Sequence, residues 1–465
     1  MTYLTRRNLL QNLGAVSFVG SLGGIGCLSA QMAQAESFKD YKALVCLYLQ
    51  GGLDHADILI PQDAHSYNSF VTNRPEIIRA HGATRRREAL LSINTDADDG
   101  RHFGLPPELA GIKDIYDQNE AAVLAGVGPM IEPVTRADMD AARVALPPRL
   151  YSHNDQRSAW QAFAVEGARF GWGGRFADAI LRSDPNADPL YAAMTAGSLD
   201  VYLSGEKARP FRVTPGGPNG AKMLQTAGSF GQTLGDEKAR QVMRSYFEAQ
   251  RTSSENLYMK DIVAAQGRAI PNSEKLGEAL SHSLGFTTQF PNTNLGRQLF
   301  AIAETISVQH LLGNSRQIFY ARIGGFDTHA DQHKKLPGLQ RELSDAVVAF
   351  RTAMLELNRW KDTTVFTMSD FGRTVVENGT GTDHGGGGHH FVLGGSVKGG
   401  RVYGRLSDGD VASNYYTPFR GRLIPTVSVD QYAAPLGGWF GLQSEELGSI
   451  LPNIGNFETR TIDFL

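Results

Sequence analysis

The chain has 465 residues, 41% of them hydrophobic and 20% charged, with a formal net charge of -3 from 45 Lys and Arg against 48 Asp and Glu. That length allows one large α/β domain or two medium ones. The near-balanced charge, with no long basic or acidic block, excludes an electrostatic nucleic-acid binder and a polybasic membrane-surface protein. The 52 glycines exceed the usual share of about 7% and point to many turns and to backbone that approaches a ligand closely.

The first 35 residues read as an export signal. "TRRNLLQNLGAVSFVGSLGGIGCLSAQMAQAESF" opens on Arg6-Arg7, continues through a glycine-softened apolar stretch and reaches Ala33-Gln34-Ala35. These are the positive start, apolar middle and A-x-A site of a cleaved signal, and the paired arginines favour the twin-arginine route. A membrane anchor is the competing reading, but the stretch is short and broken by glycines, whereas a span needs roughly 20 apolar residues. Lipid attachment at Cys27 is disfavoured by Gly24, where an aliphatic residue is wanted. Cleavage after Ala35 leaves a periplasmic or extracellular domain, 36–465, with no stable membrane span and with Cys46 as its one thiol. A disulfide framework is excluded.

Along the mature chain, "ALVCLYLQGGLDHADILIP" predicts a buried strand from Ala43 to Leu49, then a Gly51-Gly52 loop carrying Asp54. "PPELAGIKDIYDQNEAAVLAGVG" predicts a helix and a second strand over Ala121 to Ala125. In "LYSHNDQRSAWQAFA", Ser152 has the look of a helix N-cap. The region of about 188–291 is less regular, with strand-like "LDVYLSG", a loop at Pro215 to Gly220 and helical stretches around Asp236 to Gln266. It reads as an insertion or cap. Alternation then resumes with a helix in "NLGRQLFAIAETISVQHLL", a strand in "RQIFYARIGG" and a long helix in "LQRELSDAVVAFRTAMLELNRW". Further strands follow in "TTVFTMSDFGR" and "HHFVLGG". Helices alternating with apolar strands predict an α/β fold, a mainly parallel sheet covered on both faces.

Ligands in such folds bind beyond the carboxyl ends of the strands. The loops expected there carry Asp54, Ser152 with His153, Asp327 with His329 and His333, and Asp370. In "GGFDTHADQH", extended backbone turns Asp327 and His329 to one side. A helix starting near Ala330 would put His329 and His333 on one face, giving a zinc-like donor set or, more plainly, a capping Asp with surface histidines. "GTDHGGGGHH" sets Asp383 beside His384 on backbone able to crowd a ligand, and Arg373 is a candidate bidentate clamp for an anion. Ser152, at a helix N-terminus, is either an ordinary cap or a nucleophile that a metal could activate.

The combination "GGLDH", "SHNDQ", "GGFDTHADQ", "SDFGRTVVENGTGTDHG" and "FVLGGSVKGGRVYG" resembles the domain-of-unknown-function 1501 family. That family consists of twin-arginine-exported bacterial proteins in the alkaline phosphatase/sulfatase superfamily. The resemblance implies an alkaline-phosphatase-like α/β domain holding two divalent ions, zinc first, with Mg, Mn or Ca as alternatives. Asp327, His384 and one or both of His329 and His333 would hold one ion. Asp54, Ser152 and Asp370 would hold the other, with Ser152 as nucleophile on an anionic phosphate or sulfate ester. Phe371 departs from the superfamily pattern, which has a histidine there; Asp383, His389 or His153 would have to compensate. Three functions are therefore expected in competition: a metal-dependent ester hydrolase, a non-catalytic exported protein that binds a metal or a protein partner, and a transferase acting on envelope components.

Overall fold

The computed structural model describes residues 38, 40–95, 101–214, 241, 242, 245, 246, 249, 275–283, 285–407 and 409–465. The expected signal over 1–35, the loop at 215–220 and most of the helical stretch at 236–266 lie outside them.

A nine-stranded sheet organises the molecule. Its strands, in chain order, are β1 (Lys42–Leu49), β2 (Ala121–Gly128), β3 (Ala193–Thr195), β4 (Phe211–Arg212), β5 (Arg316–Ile323) and β6 (Thr363–Ser369). A hairpin of β7 (Arg373–Glu377) and β8 (Thr382–His384) stands outside the sheet, which is completed by β9 (Gly388–Gly394), β10 (Val402–Gly404) and β11 (Val427–Ser428). The spatial order is β10-β2-β9-β6-β1-β5-β3-β4, with β11 also paired to β2. β1 is central and parallel to both neighbours, Leu49 lying opposite Ile323 and Ser369. Within this sheet β9 runs antiparallel to its neighbours β2 and β6.

The apolar runs that predicted these strands are apolar because both faces are covered. On β1, Ala43, Val45, Leu47 and Leu49 enter one core with Phe319, Val365 and Phe391. That core is closed by the helices α1 (Ala110–Asp117), α4 (Asn294–Ser307) and α5 (Gln332–Glu356). Leu44, Cys46 and Tyr48 enter the opposite core, closed by α2 (His153–Ala162), α3 (Trp172–Ser183) and α6 (Val429–Phe440). The expected α/β architecture, with helices on both faces of a mainly parallel sheet, is the one observed.

Two details differ from the sequence reading. β3 and β4 come from the region read as an insertion, yet they extend the main sheet, β3 pairing parallel with β5. Strands of two or three residues are too short for periodicity to reveal. "LDVYLSG" forms a 3-10 turn, Val201–Leu203, started by the Asp200 side chain rather than a strand. Tyr202 from that turn is buried edge-on against Trp172, with ring centroids 4.7 Å apart.

Close backbone packing at the strand ends sets up a test. Gly51 has φ +120°, and a Cβ there would lie 2.3 Å from the Asp327 amide nitrogen. Gly438, exposed in α6, has nothing within 4 Å of such an atom. Urea denaturation is expected to show Gly51→Ala destabilised by at least about 2 kcal/mol, through strain in a conformation alanine tolerates poorly. Gly438→Ala is expected to gain about 0.4–1 kcal/mol.

Candidate metal centre

Four chain segments meet at the carboxyl ends of the central strands. β5 leads into Asp327, and β6 ends at Ser369, so that Asp370 follows directly. α2 begins at His153. The β7–β8 hairpin places Arg373 opposite His384 and turns the chain back toward Asp370. The glycines after His384 serve contact between backbones: Gly385 donates to the Gly372 carbonyl at 2.8 Å, and the Gly372 amide donates to Gly386 at 2.8 Å. A Cβ on Gly372 would fall 1.9 Å from the Gly387 carbonyl oxygen.

Donor atoms of His153, Asp327 and His384 lie within 4.8 Å of one another. His329 joins them, its Nε2 standing 3.2 Å from Asp327 Oδ1 and 2.8 Å from His384 Nε2. Extended backbone explains this, since Asp327 and His329 point to one side while Thr328 is buried on the other and bonds Gln332 at 3.0 Å. The cluster is open to solvent, the Asp327 and His329 side chains being 45% and 44% exposed.

Each imidazole is gripped at Nδ1. His153 Nδ1 meets Asp370 Oδ2 at 2.6 Å, His384 Nδ1 meets the Tyr151 carbonyl at 2.8 Å, and His329 Nδ1 meets Asp383 Oδ1 at 3.3 Å. An acceptor at Nδ1 places the proton there and leaves the Nε2 lone pair free, the pattern found around metal-bound histidines. Two lone pairs facing each other across 2.8 Å, as in His329 and His384, require a cation or a shared proton between them. Burial, together with the nearby His153, Arg373 and His329, lowers the His384 pKa despite the Tyr151 carbonyl, and so opposes the proton. At Asp327 burial alone would raise the pKa, but the Arg373 hydrogen bond and charge override it and keep the carboxylate ionised. Three imidazoles and one carboxylate are donors of the kind zinc takes.

The remaining expected site residues have other partners. Asp54 is buried and gives both oxygens to Arg74, at 2.6 and 2.9 Å, with Gln332 Nε2 a further 2.6 Å donor. It is therefore not free to bind a second ion. His333 points away because α5 starts at Gln332 rather than near Ala330; its ring lies 6.5 Å from that of His81. Arg373 is fully buried and spends its donors on Gly51, Asp327 and Thr382, so it positions Asp327 and is not an anion clamp. Asp370 receives Tyr48, Gly51 N at 3.1 Å and His153, behind the cluster rather than in it. Asp383 likewise stands behind His329, bonded to Asn378 at 2.8 Å. Ser152 occupies the N-cap of α2, next to His153, and its side chain makes no capping hydrogen bond. His389 and His390 are buried against His55 and Trp160 and do not reach the centre.

Of the replacements considered for a histidine at 371, His153 is the one that enters the cluster. Tyr48 and the Tyr151 carbonyl escaped the sequence reading. A tyrosine inside an otherwise apolar strand signalled the first, and nothing in the sequence signalled the second.

The chain belongs to the family described as "Protein of unknown function (DUF1501)", whose model matches residues 41–418. No curated protein matches it. Among solved structures it is similar to the PsFucS1 sulfatase from Pseudoalteromonas sp., at 10% identity over 94% of this chain and 73% of that one, with a TM-score of 0.36. It is also similar to Ps i-CgsB in complex with k-i-k-neocarrahexaose, at 10% identity, 88% and 74% coverage and a TM-score of 0.34. A third is a 2-O GAG sulfatase, at 9% identity, 89% and 75% coverage and a TM-score of 0.29.

The Asp54–Arg74 pair yields a stability test. Burial alone would raise the Asp54 pKa, yet Arg74 and Gln332 hold it below the usual carboxylate value. Arg74→Met is expected to cost about 3–5 kcal/mol in urea denaturation, because the carboxylate is left buried and unpaired. The lowered pKa adds stability that is complete above about pH 4 and disappears as pH falls through the folded value. Acid titration of unfolding should show this component in the wild type and not in Asp54→Asn.

Proposed function

We propose that the protein is an exported hydrolase of phosphate or sulfate esters working with a single divalent ion, zinc by its donor set, held by His153, Asp327, His329 and His384. The observation that carries this reading is the set of three imidazoles, each fixed at Nδ1, with their Nε2 atoms directed at one exposed carboxylate. Mg or Ca fits less well, since those ions take oxygen donors; Mn accepts the mixed set more readily. Among the described residues no helix is long and apolar enough to cross a membrane.

Bound there, the ion would supply Lewis acidity toward an ester oxygen. The chain's own residues supply the rest. Asp370 and Asp383 orient His153 and His329, and Arg373 holds Asp327 ionised. Ser152 stands at the positive end of α2, where the first-turn amides favour an anionic group, and its uncapped hydroxyl is the candidate nucleophile. The two-ion mechanism implied by the resemblance is set aside, because Asp54 is paired with Arg74.

A second reading, a non-catalytic exported protein that binds a metal and a protein partner or envelope component, is favoured by that same loss of the second ion. The transferase reading uses the same centre with an alcohol as acceptor, and product analysis with added acceptors separates it from hydrolysis.

Elemental analysis of the purified periplasmic protein is expected to find about one zinc per chain, and His384→Ala to lose it. Asp370→Asn should weaken metal affinity by about 10–100-fold by freeing the His153 ring. Ser152→Ala should keep the metal and lose turnover of aryl phosphates or sulfates. Metal-free wild type, or turnover indifferent to Ser152→Ala, overturns the hydrolase. Retained metal with no turnover of any ester supports the second reading.

A further inference from the structure

Leu44, Cys46 and Tyr48 share the face of β1 that enters the second core, and Tyr48 alone of the three carries a hydroxyl. Its side chain is fully buried. The ring stacks on Tyr320 of β5, with centroids 6.0 Å apart, in the same cluster as Phe366 and Met368 of β6. A hydroxyl placed in such surroundings is costly unless it is bonded, and this one donates to Asp370 Oδ1. A phenylalanine would fill the same space without that requirement.

The consequence of the bond lies at the other oxygen of the carboxylate. Asp370 Oδ2 accepts from the Gly51 amide at 3.1 Å and stands 2.6 Å from His153 Nδ1. Asp370 is only 2% exposed, which leaves little room for water to replace a missing donor. Of these three contacts, one comes from β1, one from the chain just after it, and the third from His153. The central strand thus fixes the plane of the carboxylate, and the carboxylate fixes the imidazole. His153 Nε2, 3.6 Å from Asp327 Oδ2, keeps a free lone pair only while the ring's hydrogen is on Nδ1, directed at Asp370.

We infer that Tyr48 is a positioning residue for the metal centre, acting through Asp370 to hold His153 in the orientation and tautomer that offer Nε2 to a divalent ion. The inference rests on the metal reading above and adds to it a residue of the sheet itself, outside the loops that carry the ligands. Without the hydroxyl, Asp370 Oδ1 is buried with no donor, and the carboxylate is free to rotate and give up its contact with His153. The partner of a metal-binding histidine typically matters about 10–100-fold in affinity. Tyr48 stands one bond further out, so its removal is expected at the lower end of that range.

The test measures zinc dissociation constants of the purified full chain by competition with a chromophoric chelator. Tyr48→Phe is expected to bind zinc about tenfold more weakly than wild type. Tyr320→Phe removes an equally buried hydroxyl, one bonded to Asp200 at 3.1 Å, and should stay within about twofold of wild type. Tyr48→Phe combined with Asp370→Asn should bind no more weakly than Asp370→Asn alone, because a residue acting through another adds nothing once that one is lost. Imidazole nitrogen NMR of the metal-free chain should show His153 as the Nδ1–H tautomer in wild type, a measurement that needs neither variant nor metal, and as a mixture with Nε2–H in Tyr48→Phe. Unchanged zinc affinity in Tyr48→Phe, equal losses in Tyr48→Phe and Tyr320→Phe, additive losses in the double variant, or an Nε2–H tautomer in metal-free wild type would each overturn the positioning role and leave the metal centre standing. Wild type that binds no zinc overturns the metal reading and this inference with it.

Discussion

Arg373 is fully buried, and its guanidinium joins three loops through side-chain hydrogen bonds. It donates to the Gly51 carbonyl at the end of β1 at 2.9 Å, to Asp327 beyond β5 at 2.7 Å, and to Thr382 on β8 through both the hydroxyl and the carbonyl. A charge removed from water is tolerated only when its donors are met, so the position of each loop is constrained by the needs of one side chain. Thr382 and Thr328 in turn bond Gln332, which bonds Asp54. The imidazoles of the centre thus rest on a hydrogen-bonded polar layer beneath them. A centre assembled from separate segments on short loops needs such a layer, since donors misplaced by an ångström no longer share a ligand.

The same economy explains which acids stay reactive. Asp54, Asp57 and Glu108 are buried, and each is neutralised by an arginine, Arg74 or Arg85. Asp370 is buried too, but its neighbours are a hydroxyl, an amide and the His153 ring rather than a guanidinium. Its Oδ2 lies 2.6 Å from His153 Nδ1, the kind of contact that fixes the orientation of an imidazole. Asp327 alone among these acids combines an arginine contact with substantial exposure.

The sheet was legible in the sequence because strands buried on both faces carry apolar runs, as Ala43–Leu49 of β1, Ile318–Ala321 of β5 and Val365-Phe366 of β6 do. The position of the centre was legible too, since polar residues directly after such strands lie at one edge. What escaped depended on partner choice. Nothing in "TNRPE" announces that Arg74 will reach Asp54, because a guanidinium has many acceptors within reach until the fold selects among them. His333 was misread through a boundary: the left-handed Asp331 (φ 54°) delays α5 to Gln332, and a shift of two residues turns a side chain by about half a helical circumference. His153 was weighed as a possible ligand and as one of three replacements, but its contact with Asp370, spanning 217 positions, was not legible.

Phe371 and Arg74 each stand where the resemblance led to a second ion. The Phe371 ring lies 4.8 Å from His153 and 4.5 Å from His384, centroid to centroid, and a Cβ on Gly52 would lie 2.4 Å from it. It forms an apolar wall against which both imidazoles are set. Arg74 already supplies the positive charge that Asp54 requires, in a geometry that occupies both carboxylate oxygens. Replacing one of these residues without the other would leave either a ligand without an ion or a buried carboxylate without a partner. A phenylalanine thus stands where a ligand was expected, and an arginine that no motif announced holds the carboxylate expected to serve a second ion.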